Sequence, residues 1–268
     1  MSEADPREFK MRIVKSAAKK ILPSRIARAI SELMRPENTD QPEAPAYDQD
    51  GLRTLHNCDF MYDERFIRAY TAGEALKSWF GGKVHWRVHV LFWAAKRALA
   101  TGGDFVECGV HLGGFSRAVI EYVDFGQLTD RKFYLLDSFE GVSEAQLSEE
   151  EKARGILEYP YANNYDAVVD TFKSFRNVEI IKGMIPESLS SVNSDKISFL
   201  SIDLNSAAPE IAAAEYFWER LVPGATVILD DYGWAKHLAQ KQAFDRFAEE
   251  RKVPILSLPT GQGVMIKP

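Results

Sequence analysis

From position 104 the chain reads Asp-Phe-Val-Glu-Cys-Gly-Val-His-Leu-Gly-Gly-Phe-Ser, and this stretch limits the fold more than any other. β-Forming residues run to Glu107 and Cys108. Glycines at 109, 113 and 114 then break the run, and 115–123 resumes with helical spacing. Strand, glycine turn and helix, in that order, open a nucleotide-type α/β fold. Glycine lets a ligand approach the backbone, and the start of the helix offers free N–H groups.

The spacing is Glu-x-Gly-x-x-x-Gly-Gly, which differs from the G-x-G-x-x-G of dinucleotide sites. A carboxylate on the strand just before the turn suits an ammonium group better than a pyrophosphate. It directs expectation to S-adenosylmethionine, whose methionyl amine needs an anionic partner. A plain structural turn is the other reading of the same residues.

Further along, strands are expected at 104–110, 132–137, 178–182, 197–204 and 225–230, with helices near 114–123, 164–175, 186–191 and 209–221. This alternation means a parallel sheet with helices on both faces. After a helix at 237–251 come two short extended runs, 255–258 and 263–267, around Pro-Thr-Gly-Gln-Gly; so short a connection makes them antiparallel. An α/β chain with about seven strands, mostly parallel with an antiparallel last strand, matches the Rossmann-like class I methyltransferase fold by analogy of architecture. The insertion 143–163 carries a capping box, Ser148 with Glu151, which predicts a short helix over the site.

Ahead of the sheet, residues 62–99 have helical periodicity in two pieces split by Gly81-Gly82. His85 and His89 stand one turn apart, a spacing some metal sites use, but no third ligand is near them in sequence. Residues 7–35 are basic and amphipathic, interrupted at Pro23, with Ser24 able to cap a second short helix. Such a segment suits an anionic membrane surface, or docks on its own domain or on a second copy of the chain as a homo-oligomer contact. The run 35–46 is rich in proline and acid and reads as a linker. The expected division is therefore 1–50 and 51–268, the latter made of helices to 100 and a core from 101.

A net charge of −6 argues against general nucleic-acid binding. No apolar run approaches the ~20 residues that a transmembrane segment requires. The first residues lack the apolar core of a signal peptide, and the two cysteines, Cys58 and Cys108, form no ligand cluster. A cytoplasmic location is the expectation.

Ligands in open parallel sheets bind at the C-terminal ends of the strands, and carboxylates fall at four of those ends. Glu107 ends the first strand. Asp137 ends the second, where a carboxylate can accept from a ribose diol or act as a turn cap. Asp203 ends the fourth, and Asp230-Asp231 end the fifth. The last two strands should be neighbours about 4.8 Å apart. Their tips then gather three carboxylates with no lysine or arginine close in sequence. Such a cluster repels unless protonated or bridged by a cation, and all-oxygen ligation suits Mg2+ or Ca2+. The other reading is that Asp-Asp merely begins a loop.

Four ordered motifs carry a resemblance to a known family. These are Phe-Val-Glu-Cys-Gly-Val-x-x-Gly-Gly, Leu-Leu-Asp-Ser-Phe-Glu-Gly from 135, Lys-Gly-Met-Ile-Pro-Glu-Ser-Leu from 182 and Pro-Gly-Ala-Thr-Val-Ile-Leu-Asp-Asp-Tyr-Gly from 223. Over roughly 84–268 the chain resembles the macrocin O-methyltransferases, which use S-adenosylmethionine and Mg2+ to methylate sugar hydroxyls of antibiotics. The resemblance implies that Glu107, Gly109 and Asp137 hold the cofactor, with Gly113, Ser138 and Gly183 from the same motifs beside them. It also implies that Asp203, Asp230 and Asp231 hold the metal.

Two positions depart from the family pattern. Leu112 stands where the family usually has arginine before the glycine pair. Asn205 stands where the fourth strand usually ends in a second aspartate, the family's general base. An amide cannot take a proton at neutral pH. By strand alternation Asn205 shares a face with Asp203 and is expected to orient the acceptor hydroxyl. Proton removal would fall to metal-held hydroxide, to His111 or His237, or to solvent. The acceptor is expected to be a small molecule, sugar or glycan, with 62–99 and 143–163 lining its pocket. Two rival readings are a cofactor-binding member that acts through a protein partner and a nicotinamide-dependent oxidoreductase.

Overall fold

The computed structural model describes residues 44–158 and 163–268, and the expectations for 7–35 lie outside them. One compact unit runs from Ala46 to Pro268. It opens with a hairpin, β1 (Tyr47–Gln49) and β2 (Leu52–Thr54), paired antiparallel through Asp50-Gly51. The hairpin spans the domain boundary expected at residue 50.

Two helices follow: α1 (Glu64–Glu74) and α2 (His85–Thr101). Asp63 caps α1, its Oδ1 accepting from Phe66 N at 2.9 Å. Gly102, at φ 73°, ends α2 in a backbone region that favours glycine.

The core then alternates as expected, except that the helix expected at 186–191 is a short 3-10 helix, Glu187–Ser191. It contains β3 (Asp104–Cys108), α3 (Gly114–Tyr122), β4 (Phe133–Asp137), a short α4 (Glu149–Ala153), α5 (Tyr165–Phe172), β5 (Val178–Lys182) and β6 (Ile197–Ile202). It closes with α6 (Ala207–Trp218), β7 (Leu221–Leu229), α7 (Leu238–Arg251), β8 (Leu256–Ser257) and β9 (Gly263–Ile266). The seven strands lie in the order β5-β4-β3-β6-β7-β9-β8. All pairings among the first five are parallel, and β9 runs antiparallel to both β7 and β8.

Period-two alternation divides the sheet's side chains between two cores. Phe105, Phe133, Leu135, Phe199 and Ile228 face α1, α2 and α3, where Val88, Phe92 and Ile120 meet them. Val106, Tyr134, Leu136, Leu200, Ile202 and Val227 face the other way, onto Phe217, Phe244 and Phe247 of α6 and α7. Each fully buried large apolar side chain contributes about 1.5–3 kcal/mol. At one crossing the helices touch backbone to backbone. A Cβ on Gly73 of α1 would stand 2.4 Å from the carbonyl oxygen of Gly114 in α3. Among the described residues no helix is long and apolar enough to cross a membrane.

Candidate active site

The carboxyl ends of β3, β4, β6 and β7 open into one cavity of about 500 Å3, lined by residues of both the glycine turn and the aspartate tips. The turn after β3 holds Gly109 at φ 89°, His111 at 52° and Gly113 at 84°. Gly109 must be glycine for a second reason: a Cβ there would stand 1.8 Å from the Asp203 carbonyl oxygen. The crossing brings the turn against the end of β6, where Asp203 N donates to Cys108 O at 2.8 Å.

Asp137 braces the same turn from β4. Its Oδ2 accepts from Val110 N at 2.6 Å and His111 N at 2.8 Å, and its Oδ1 accepts from Phe139 N at 2.7 Å. Gly183 N donates to the Asp137 carbonyl at 2.9 Å. Gly109, Asp137, Ser138 and Gly183 line the cavity, whereas Glu107 and Gly113 do not.

Glu107 points into the core behind the turn, 3% exposed, where it accepts the Ser116 hydroxyl of α3. Burial, reinforced by Asp230 and Asp137, holds its carboxyl well above the usual range. A Cβ on Gly113 would meet Phe172, so that glycine serves helix entry and packing.

The second half of the cavity is the carboxylate trio. Asp203 follows β6, and Asp230 and Asp231 follow β7, the neighbouring strand. Each offers one oxygen, and all three lie within 4.8 Å of one another. Burial raises Asp203 well above its ordinary pKa, with Asp230 and Asp231 adding to the shift. Burial also pushes Asp231 up to about 6; His237 pulls against that shift and Asp230 adds to it. Crowded, desolvated carboxylates with only oxygen donors fit a hard divalent cation, which would relieve this repulsion.

The trio has no lysine or arginine close in sequence, and the fold brings one to it from far along the chain. Arg87, on the first turn of α2, reaches across to it: Nη1 donates to Asp230 Oδ2 at 2.5 Å. Asp50, at the hairpin tip, accepts from the same guanidinium twice, from Nε at 2.9 Å and from Nη2 at 3.1 Å. The other Asp230 oxygen accepts from Gln262 Nε2 at 2.9 Å, from the turn between β8 and β9. Sequence reasoning passed over Asp50, Arg87 and Gln262. Their only trace was the glycine-rich turn that contains Gln262.

Asn205 lines the cavity, but not by strand alternation. β6 ends at Ile202, and Asn205 has a left-handed backbone with φ 60°. Behind this loop Glu210 accepts from Leu204 N at 3.1 Å and Gln240 Nε2 at 2.9 Å. Burial, aided by Asp231, pushes its carboxyl up to about 8 against the pull of those hydrogen bonds.

His111 and His237, the two histidines named from sequence as proton acceptors, also line the cavity. His237 Nδ1 lies 2.6 Å from Gln240 Oε1 and 3.4 Å from Asp231 Oδ2. His111 Nδ1 lies 3.2 Å from the Ser78 carbonyl, its ring stacked on Phe80. His85 and His89 instead stack on Tyr70 and Phe60. Among the described residues they join no group of ligating side chains.

The insertion forms the expected box. Ser148 Oγ accepts from Glu151 N, and Glu151 Oε2 accepts from Ser148 N. Glu151 Oε1 also accepts from Ala207 N at 2.8 Å, which ties the insertion to the first turn of α6. From 62–99 the cavity takes Ser78, Trp79, Phe80 and Arg87, and from the insertion Ser143 and Gln146.

This geometry agrees with the chain's similarity to known proteins. The model of the macrocin-O-methyltransferase (TylF) family matches residues 88–257. No curated protein matches the chain. Among solved structures, the O-methyltransferase NovP is similar, with 18% identity over 68% of this chain and 79% of that one, at a TM-score of 0.59. CalS11, a calicheamicin methyltransferase, is similar over 99% of this chain and 94% of its own, with 13% identity and a TM-score of 0.52. At such identities the two structures speak for the fold. The family match spans more than half of the sequence and every strand tip described above, so the chain belongs to the macrocin O-methyltransferase family and is a methyltransferase.

Proposed function

We propose that this methyltransferase uses S-adenosylmethionine and a divalent cation, Mg2+ by donor chemistry, to methylate a hydroxyl of a sugar, glycan or small natural-product acceptor. The observation that carries the reading is the single cavity shared by the glycine turn and the Asp203, Asp230 and Asp231 trio. The names of the similar structures, an O-methyltransferase and a calicheamicin methyltransferase, support a small hydroxylated acceptor.

In this reading Gly109, Asp137, Ser138 and Gly183 flank the cofactor. Gly109 lets it approach the backbone, and Asp137 fixes the turn's shape through Val110 and His111. Glu107 and Gly113 support the turn from behind. When bound, the cofactor supplies an electrophilic methyl group and the cation supplies charge that lowers the acceptor hydroxyl's pKa. Asp203, Asp230 and Asp231 would hold the cation. Asn205 orients the acceptor oxygen, and much of the rate comes from that alignment. Transfer would form a bond between the methyl carbon and the acceptor oxygen as the carbon–sulfur bond breaks, with the hydroxyl proton lost to solvent. His237, held between Asp231 and Gln240, positions Asp231.

The test is transfer from labelled S-adenosylmethionine to hydroxylated acceptors fractionated from cell extracts. Transfer should require Mg2+ and vanish in Asp203→Ala. It should survive in large part in His111→Ala and His237→Ala, and persist or rise in Asn205→Asp. Cofactor binding without transfer to any acceptor would favour action through a protein partner instead.

A further inference from the structure

The Asp50–Arg87 pair stands outside the segment matched by the family, which begins at residue 88, yet it reaches the centre of the site. Arg87 is held on every side. Asp50 grips it with a two-pronged pairing, Asp230 takes its third nitrogen, and the rings of Trp234 and Phe115 lie 5.6 and 5.9 Å from its guanidinium carbon. Side-chain exposure is 17% for Arg87, 12% for Asp50 and 3% for Asp230, so water does little to screen these charges. Trp234 also packs on the hairpin tip: a Cβ on Gly51 would stand 3.3 Å from its ring. The hairpin therefore brings a fourth carboxylate toward the trio, and Arg87 of α2, held between Asp50 and Asp230, brings a fixed positive charge.

We infer that Asp50 and Arg87 are positioning residues that set the trio's affinity for its divalent cation, Arg87 opposing the cation and Asp50 cancelling that opposition. The charges give the signs. Ionised to hold a cation, the trio would present three negative charges, and a guanidinium on Asp230 offsets one of them and repels an incoming dication. Asp50, bound to the same guanidinium through both oxygens, restores the attraction. Both charges stand at the trio, since the Arg87 guanidinium donates to Asp230 Oδ2 and to both oxygens of Asp50. The inference rests on the reading of the trio as a cation site.

The experiment is calorimetric titration of the full chain with Mn2+ and Mg2+, without cofactor or acceptor, across four variants checked for fold by circular dichroism. Asp50→Asn should weaken binding about tenfold and Arg87→Gln should tighten it by a similar factor, the scale of one poorly screened charge. Arg87→Lys, which keeps the charge, should stay within about threefold of the unaltered protein. The double variant Asp50→Asn/Arg87→Gln restores the net charge and should return close to the original affinity, even if either single variant folds poorly. Weakening in Arg87→Gln, or a double variant as impaired as Asp50→Asn, would overturn the inference and leave the cation site standing. Absence of any binding to the unaltered protein would overturn both.

Discussion

Gly109 and Asp203 are in backbone contact: a single added carbon on Gly109 would stand 1.8 Å from the Asp203 carbonyl oxygen. This contact joins the turn that opens α3 to the tip of β6, and so joins the two halves of the cavity. Alanine at 109 would meet both that collision and a backbone at φ 89°. We expect Gly109→Ala to lose about 2–4 kcal/mol of stability, strain and overpacking combined. Urea unfolding checks the loss. A destabilisation below about 0.5 kcal/mol would mean that the contact relaxes freely.

Glu210 gives a pH dependence with a defined sign. Its folded-state pKa, about 8, lies above the ordinary glutamate value. The associated stability is therefore complete at pH below about 4.3 and is lost as pH rises through about 8, because the unfolded chain ionises first. Glu210→Gln keeps an acceptor oxygen for Leu204 and Gln240 while removing the titration. Its melting temperature relative to the unaltered protein should be higher at pH 8.5 than at pH 6. A difference that does not change with pH would contradict the assignment.

Glu151 links the insertion to the site. One carboxylate closes the helix cap at Ser148 and accepts from Ala207 at the start of α6. Glu151→Ala should cost about 1–2 kcal/mol locally, a cap and a buried hydrogen bond. Amide hydrogen exchange in 143–158 should quicken while β3 and β6 keep their protection. Uniform quickening across the chain would place Glu151 in global stability instead.

The parts of this architecture that sequence revealed are those written in local pattern. β4 and β5 were legible to within a residue, because Phe133–Asp137 and Val178–Lys182 are apolar runs ended by polar residues or glycine. The trio was legible because Asp203 and Asp230 end strands that alternation makes neighbours. The end of β6 was overrun by two residues: apolar Leu204 continues the strand pattern past Ile202, whereas in the structure its N–H is taken by Glu210 of α6.

Arg87 and Asp50 were not legible at all. Their partners lie far along the chain, and strands of three residues, as in β1 and β2, are too short for periodicity to register. Glu107 shows the same limit in reverse. Its place beside the turn was read correctly, but the direction of its side chain, toward Ser116, depends on the packing of α3.

The most direct test of the central claim is calorimetric titration of the purified chain with S-adenosylhomocysteine, the product form of the cofactor, alongside NAD. One molecule of S-adenosylhomocysteine should bind per chain, Gly109→Ala should abolish that binding, and NAD should give no heat above dilution. Binding of NAD in preference to S-adenosylhomocysteine, or unaltered S-adenosylhomocysteine affinity in a folded Gly109→Ala variant, would contradict the account.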